Sequence, residues 1–154
     1  MSQPATINPR IIDSLYCEAL VLSDEVRGAF ALSGRSDAAG QDEDLTRIAL
    51  SCEALRTTTR MMHAMAWLLN HRAFFMGELS EFQLRRHGRL ANDVAAGEPE
   101  RLVLLSSEIR DLIATTERFY ARLLRLDASW RQRDPHAPSA VQRLRERLGQ
   151  AVGQ

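Results

Sequence analysis

The chain has 154 residues, 45% hydrophobic and 26% charged, with zero formal charge, and all of its 20 basic residues are Arg. That length fits one domain with a single moderate core. Neutrality argues against nucleic acid as the main partner, because that binding rests on neutralising phosphates, and the absence of Lys excludes Schiff-base and other lysine chemistry. Charge is uneven along the chain. Residues 1–44 carry three Arg against eight acids, and residues 131–154 carry five Arg against two acids. Cys17 and Cys52 fall at core-like helical positions and read as buried reduced thiols, not as a disulfide framework. The N-terminus has neither a basic leader nor an apolar core of a signal peptide. The longest near-apolar run, Met61 to Leu69, is far short of the about 20 residues of a membrane span. A cytoplasmic protein without membrane association is expected.

Residues 1–7 are expected to be disordered. Asn8-Pro9 is a helix start, with Asn as cap and Pro in the first turn. Ile12, Leu15, Ala19, Leu22, Val26 and Ala29 then recur at alternating spacings of three and four, the seam of a helix in a bundle. Gly34 is a candidate left-handed stop. Residues 34–44 form a polar loop that lacks the spacing of a calcium loop.

The stretch from Glu43 to Glu78 organises the chain. It has no Pro and reads as one long helix. At about 100° per residue, Ile48, Cys52, Leu55, Met62, Ala66, Leu69, Ala73 and Met76 share one face, widened by Leu50, Met61, Leu68 and Phe75. An ordinary amphipathic stripe is narrower, so this helix must be covered from more than one direction. The remaining arc holds Glu53, Arg56, Arg60, His63, Trp67, His71, Phe74 and Glu78. Two readings fit it. Trp67 and Phe74 pack under a neighbouring helix while the charges are solvated, or the arc is a partner-binding face, since aromatics with Arg make interface anchors. On the second reading Arg56, Arg60, His63, Trp67, His71 and Phe74 are the partner-binding candidates, with Leu55, Thr58, Thr59, Met62, Leu68 and Leu69 as core or dimer positions.

Gly77 ends or kinks this helix. Ser80 with Gln83 makes a capping box for a short helix over about 81–91. Pro99 is expected to open the third long helix, whose seam runs through Leu102, Leu105, Ile109, Leu112, Thr116, Phe119, Leu123, Leu126 and Trp130. Asp134 to Ser139 breaks the pattern. Beyond it Val141, Leu144, Leu148 and Val152 could line a small amphipathic helix with Arg143, Arg145 and Arg147 around it. The expected architecture is all-α: a three-long-helix, up-down-up bundle over 8–131 with a short extra helix in the second connection, followed by a flexible tail over 132–154. The excess apolar surface on the middle helix predicts a homodimer.

No catalytic constellation emerges. His63 and His71 lie two turns apart with Trp67 between them, too far to share a metal unaided. Glu-x-x-His, His-Glu-x-x-His, paired Cys, a phosphate-cradling Gly loop and Gly-x-Ser-x-Gly do not occur. No metal, cofactor or enzymatic activity is expected.

The middle helix does carry a resemblance. Glu53-Ala-Leu55-Arg56-Thr-Thr58-Thr59-Arg60-Met-Met62, then Met65-Ala-Trp67-Leu68-Leu69, Arg72-Ala73 and Gly77-Glu78, resembles the family of the regulator of CtrA degradation (RcdA), as does Glu117-Arg118-Phe119-Tyr120 through Arg125-Leu126-Asp127. Thr57, Ala66 and His71 depart from the family's Leu, Ser and Gln. The resemblance implies a dimeric three-helix bundle with a poorly ordered C-terminal tail. It also implies an adaptor for the ClpXP protease, meeting ClpX or a primed protease complex together with protein cargo in cell-cycle control. A different function is a dimeric helical sensor, holding a small apolar ligand between helices against Met61, Met65 and Trp67.

Overall fold

The computed structural model describes residues 7–34, 41–133 and 140–152. Six helices and no strand occur among them: α1 (Pro9–Ser33), α2 (Gln41–Phe75), α3 (Glu81–His87), α4 (Pro99–Leu102), α5 (Ser107–Gln132) and α6 (Ala140–Val152). Of the expected polar loop over 34–44, residues 41–44 instead form the first turn of α2, while 35–40 lie outside the described residues, as does the breaker over 134–139.

The helix ends follow local chemistry. Asn8 caps α1, its side-chain oxygen accepting from the Ile11 N–H at 3.0 Å, and Pro9 fits the first turn where no amide is needed. Gly34 closes α1 in right-handed geometry, φ −72°, instead of the left-handed cap expected. Gly77, at φ +79°, is where the left-handed residue occurs. There the Glu78 and Gly77 amides donate to Ala73 and Phe74, a Schellman closure that stops α2 at Phe75. Ser80 and Gln83 form the reciprocal capping box of α3. That helix ends at His87, short of the expected 91, and a Cβ at Gly88 would lie 2.6 Å from the Leu84 carbonyl. Pro99 opens only the single turn α4. Ser106, accepting from the Ile109 N–H, caps α5 instead, so the third long helix begins eight residues later than expected.

Contacts between helices settle the chain direction. Arg72 meets Asp13 at 3.2 Å and Arg122 meets Glu18, so α1 runs antiparallel to both α2 and α5. Arg60 meets Thr116, Trp67 meets Asp127, and the His71 ring meets Trp130, so α2 and α5 run parallel. The up-down-up expectation is therefore corrected. Residues 76–106 are not a simple turn but return along the bundle. An α5 of 26 residues is about 39 Å long, a distance the connection can span easily when part of it is extended. Its non-helical part, residues 88–98, forms a strap between α3 and α4.

The main core contains Ile12, Leu15, Leu22, Trp67, Leu68, Leu84, Phe119 and Leu123, and a smaller cluster at the far end joins Ala49, Leu105, Ile109 and Ile113. Ile7, expected to be frayed, is buried in the main core. Cys17, expected to be buried, is exposed, and Cys52 is half-buried. The described side chains of α6, including Val141, Leu144 and Leu148, are exposed. No helix of the described residues is long and apolar enough to cross a membrane.

Candidate functional site

The two faces of α2 are inverted relative to the simplest reading of its sequence. Much of the polar-aromatic arc points inward: Glu53, Arg60, Trp67 and His71 are buried, Arg60 and Trp67 at 2% exposure, with Thr57 buried beside them, while His63 and Glu78 are exposed. The centre of the apolar face points outward, with Leu55 70% and Met62 66% exposed, while Met61 and Leu68 at its edge are buried in the core.

The inward arc holds the strap. A non-helical segment lacks the backbone partners of a helix, so its amides and carbonyls need side chains. Arg60 donates to the Ala95 carbonyl and Arg56 to the Ala96 carbonyl, each at 2.9 Å. Glu53 accepts from the Glu98 amide, and Glu117 of α5 accepts from the Gly97 amide at 2.8 Å. The Tyr120 hydroxyl donates to the Ala91 carbonyl, and Asp127 accepts from the Leu90 amide. Six side chains on two parallel helices thus grip the strap from Leu90 to Glu98. Gly97 sits close in: a Cβ there would meet Leu102 at 3.1 Å and the Glu53 carboxylate at 3.2 Å.

Burial shapes the electrostatics of this arc. It draws the Arg60 guanidinium below its ordinary range, while Glu117, 3.6 Å away, and Glu53 favour the charge. It pushes the Tyr120 hydroxyl up to about 12, with Asp93 adding to the rise and Arg60 opposing it. The His71 ring sits between Trp67, tilted at 47° to it, and Trp130, which it meets edge-on. Neither of its ring nitrogens has a hydrogen-bond partner, and burial lowers it from 6.5 to about 4.

The candidate residues therefore divide. Arg60, Trp67 and His71 are buried within the chain, and the charges of Glu53 and Arg60 are not solvated. Arg56 is half-buried against Ala96 and Glu98, and Phe74 packs against the core. His63 is exposed. Of the core or dimer positions, Leu68 is core, while Leu55, Thr58, Met62 and Leu69 are exposed and Thr59 is half-buried. Glu117, Tyr120 and Asp127 escaped notice as strap ligands. Nothing in their own helix pattern marks them, because their partners are backbone atoms of a distant segment.

What α2 presents outward is a continuous seam. Leu45, Ile48, Cys52, Leu55, Thr59, Met62, Ala66, Leu69, Ala73 and Met76 alternate at spacings of three and four, and none of them is fully buried. On one flank lies a groove of about 510 Å³ between α1 and α2, lined by Val26, Phe30, Met61, Met62, Met65 and Leu69 among others. Trp67, expected in such a pocket, is on the opposite side of α2. On the other flank Asp93, Val94 and Ala95 of the strap border Leu55, Thr59 and His63. Contiguous exposed apolar surface of this kind marks an interaction site, and the three-four spacing is that of a helix–helix seam.

The family model described as "Protein of unknown function (DUF1465)" matches residues 3–152. The chain belongs to this family. The DUF1465 match spans α1 through α6 and so takes in the strap and the seam together. No curated protein and no solved structure matches the chain.

Proposed function

We propose that this member of the DUF1465 family is a non-enzymatic adaptor, working as a cytoplasmic homodimer in ClpXP-type regulated proteolysis and cell-cycle control. The observation that carries the reading is the exposed seam of α2, an apolar helix face with no cover inside the protomer. The likeness of residues 53–78 and 117–127 to the regulator of CtrA degradation (RcdA) family supplies the kind of partner: ClpX or a primed protease complex, with a protein cargo. An adaptor needs no reacting groups. It needs surfaces of modest affinity that raise the effective concentration of cargo at the protease. The inward polar arc is consistent with this, because it fixes the strap and leaves the seam to pairing of two copies and recognition to His63 and the exposed basic helix α6.

The test is a tagged pull-down from the native lysate read by mass spectrometry, comparing wild type with a seam variant, Leu55→Asp, and with a chain ending at Asp134. Enrichment of ClpX by wild type, reduced in one folded variant, supports the adaptor. Absence of every protease component from the wild-type sample overturns it.

The groove between α1 and α2 favours a second reading, a sensor for a small apolar ligand, since its volume and lining suit one. Native mass spectrometry of protein purified without detergent would show a bound ligand mass on that reading.

A further inference from the structure

We infer that two copies of this chain pair through α2 in antiparallel orientation, with the two-fold axis crossing the seam between Thr59 and Met62. The inference rests on the homodimer reading above and adds its direction and register.

The seam lies opposite the buried face of α2, so a second helix can reach it without disturbing the core. From Leu45 to Met76 it is about 47 Å long, and a strip of helix width, about 10 Å, covers roughly 500 Å² per protomer. The α1–α2 groove adjoins that strip, moving the surface towards the about 800 Å² per partner of a specific interface.

Side-chain size sets the direction. One row of the seam is mostly small: Cys52, Thr59, Ala66 and Ala73. The other is large throughout: Ile48, Leu55, Met62, Leu69 and Met76. In a parallel pair each position meets its own copy. Ala66 would face Ala66 and Ala73 would face Ala73, leaving voids between layers in which Leu crowds Leu and Met crowds Met. In an antiparallel pair the rows face each other. Thr59 meets the second copy's Met62, Ala66 meets Leu55, Ala73 meets Ile48, and Cys52 meets Leu69. Every one of these layers joins one small and one large side chain, so the helices keep a constant separation and pack evenly. Leu45 against Met76 closes each end. The alternation of three and four makes all these pairings fall in register at once. The same arrangement sends the ends of α5, and the two α6 helices beyond them, to opposite ends of the dimer.

Native Cys52 supplies the test. In a Cys17→Ser chain, a parallel pair brings the two Cys52 thiols together. An antiparallel pair holds them about 26 Å apart along the helix axis, far beyond disulfide reach. In Cys17→Ser with Leu69→Cys, an antiparallel pair sets Cys52 against position 69 of the second copy, a link that one helix cannot make within itself. Both proteins are checked for helicity and mass, then oxidised with copper phenanthroline, and the linked tryptic peptides are identified. The expected result is a dimer mass for both, no covalent dimer from the first, and a 52–69 linked species at twice 17.4 kDa from the second. A 52–52 or 69–69 link, or a dimer without the 52–69 link, overturns the antiparallel register while leaving the dimer standing. A wild-type mass of 17.4 kDa at micromolar concentration overturns both. If Leu69→Cys does not fold, Leu55→Cys with Ala66→Cys in a chain lacking Cys17 and Cys52 asks the same question. There a 55–66 link is expected, and its absence from a dimeric protein overturns the register.

Discussion

The indole Nε1–H of Trp67 donates to the carboxylate of Asp127 across 3.0 Å, tying the second half of α2 to the second half of α5. Asp127 also accepts from the Leu90 amide and from Arg131, so one buried carboxylate joins two helices and the start of the strap. Removing the carboxylate leaves several buried donors without a partner. Asp127→Ala should cost about 3 kcal/mol, and Trp67→Phe, which loses one hydrogen bond to a charged group, about 2 kcal/mol. A double-mutant cycle by urea denaturation should show the two effects to be less than additive. Full additivity would mean that the bond carries no coupling.

The strap depends on the guanidinium of Arg60 in the same way. Arg60→Met removes donors to Ala95 and Thr116 and leaves Glu117 without its nearby cation. A loss of about 3 to 5 kcal/mol is expected. Hydrogen exchange should rise first at the Gly97 and Glu98 amides, where the strap lets go. Exchange that rises evenly over all helices would show the strap to be an inseparable part of the global unit.

His71 makes stability depend on pH. Its folded value, about 4, lies below the ordinary 6.5 because burial disfavours the imidazolium; Asp127 opposes that shift and Arg131 adds to it. The unfolded chain therefore takes up a proton that the folded chain refuses. The contribution is complete above about pH 6.5 and is lost as pH falls towards 4, reaching about 3 kcal/mol at 1.36 kcal/mol per unit. His71→Phe keeps a ring between the two tryptophans and has nothing to protonate. Urea melts of both proteins across this window should show a shallower pH slope for the variant. Equal slopes would refute the assignment.

On the seam, Met62→Glu places a charge on an exposed face, and the protomer should tolerate it within about 0.5 kcal/mol. Its expected effect is on association: light scattering should move from dimer to monomer at the same concentration, with helicity retained. A variant that stays dimeric would locate the interface elsewhere.

Gly77 offers a backbone control. At φ +79° with open space around its Cβ position, Gly77→Ala meets no clash and pays only the left-handed penalty, about 1 kcal/mol. A thermal melt would measure it, and a much larger loss would mean that the turn carries more than its own closure.

Local signals in the sequence placed several helix ends, though not the start of α5 or the end of α3. Asn8-Pro9, Ser80 with Gln83, and Gly77 each act through bonds to neighbours three or four residues away, and all appear where the pattern put them. The α1 seam from Ile12 to Val26 is buried as its spacing requires. The decisive features of the site were not local. Hydropathy alone ranks Ile48 and Leu55 above Arg60 and His71 as core, yet the fold buries the latter pair.

The sequence by itself determined the helical class, the caps at Asn8 and Ser80, the stop at Gly77 and the two distinct faces of α2, because each depends on near neighbours along the chain. Which face turns inward was decided only by the tertiary structure. A strap of bare backbone returning between α2 and α5 must have its amides and carbonyls satisfied, and Arg56, Arg60, Glu53, Glu117, Tyr120 and Asp127 are the groups that reach it. Satisfying that backbone turns the polar arc inward and sends the apolar row from Leu45 to Met76 to the surface.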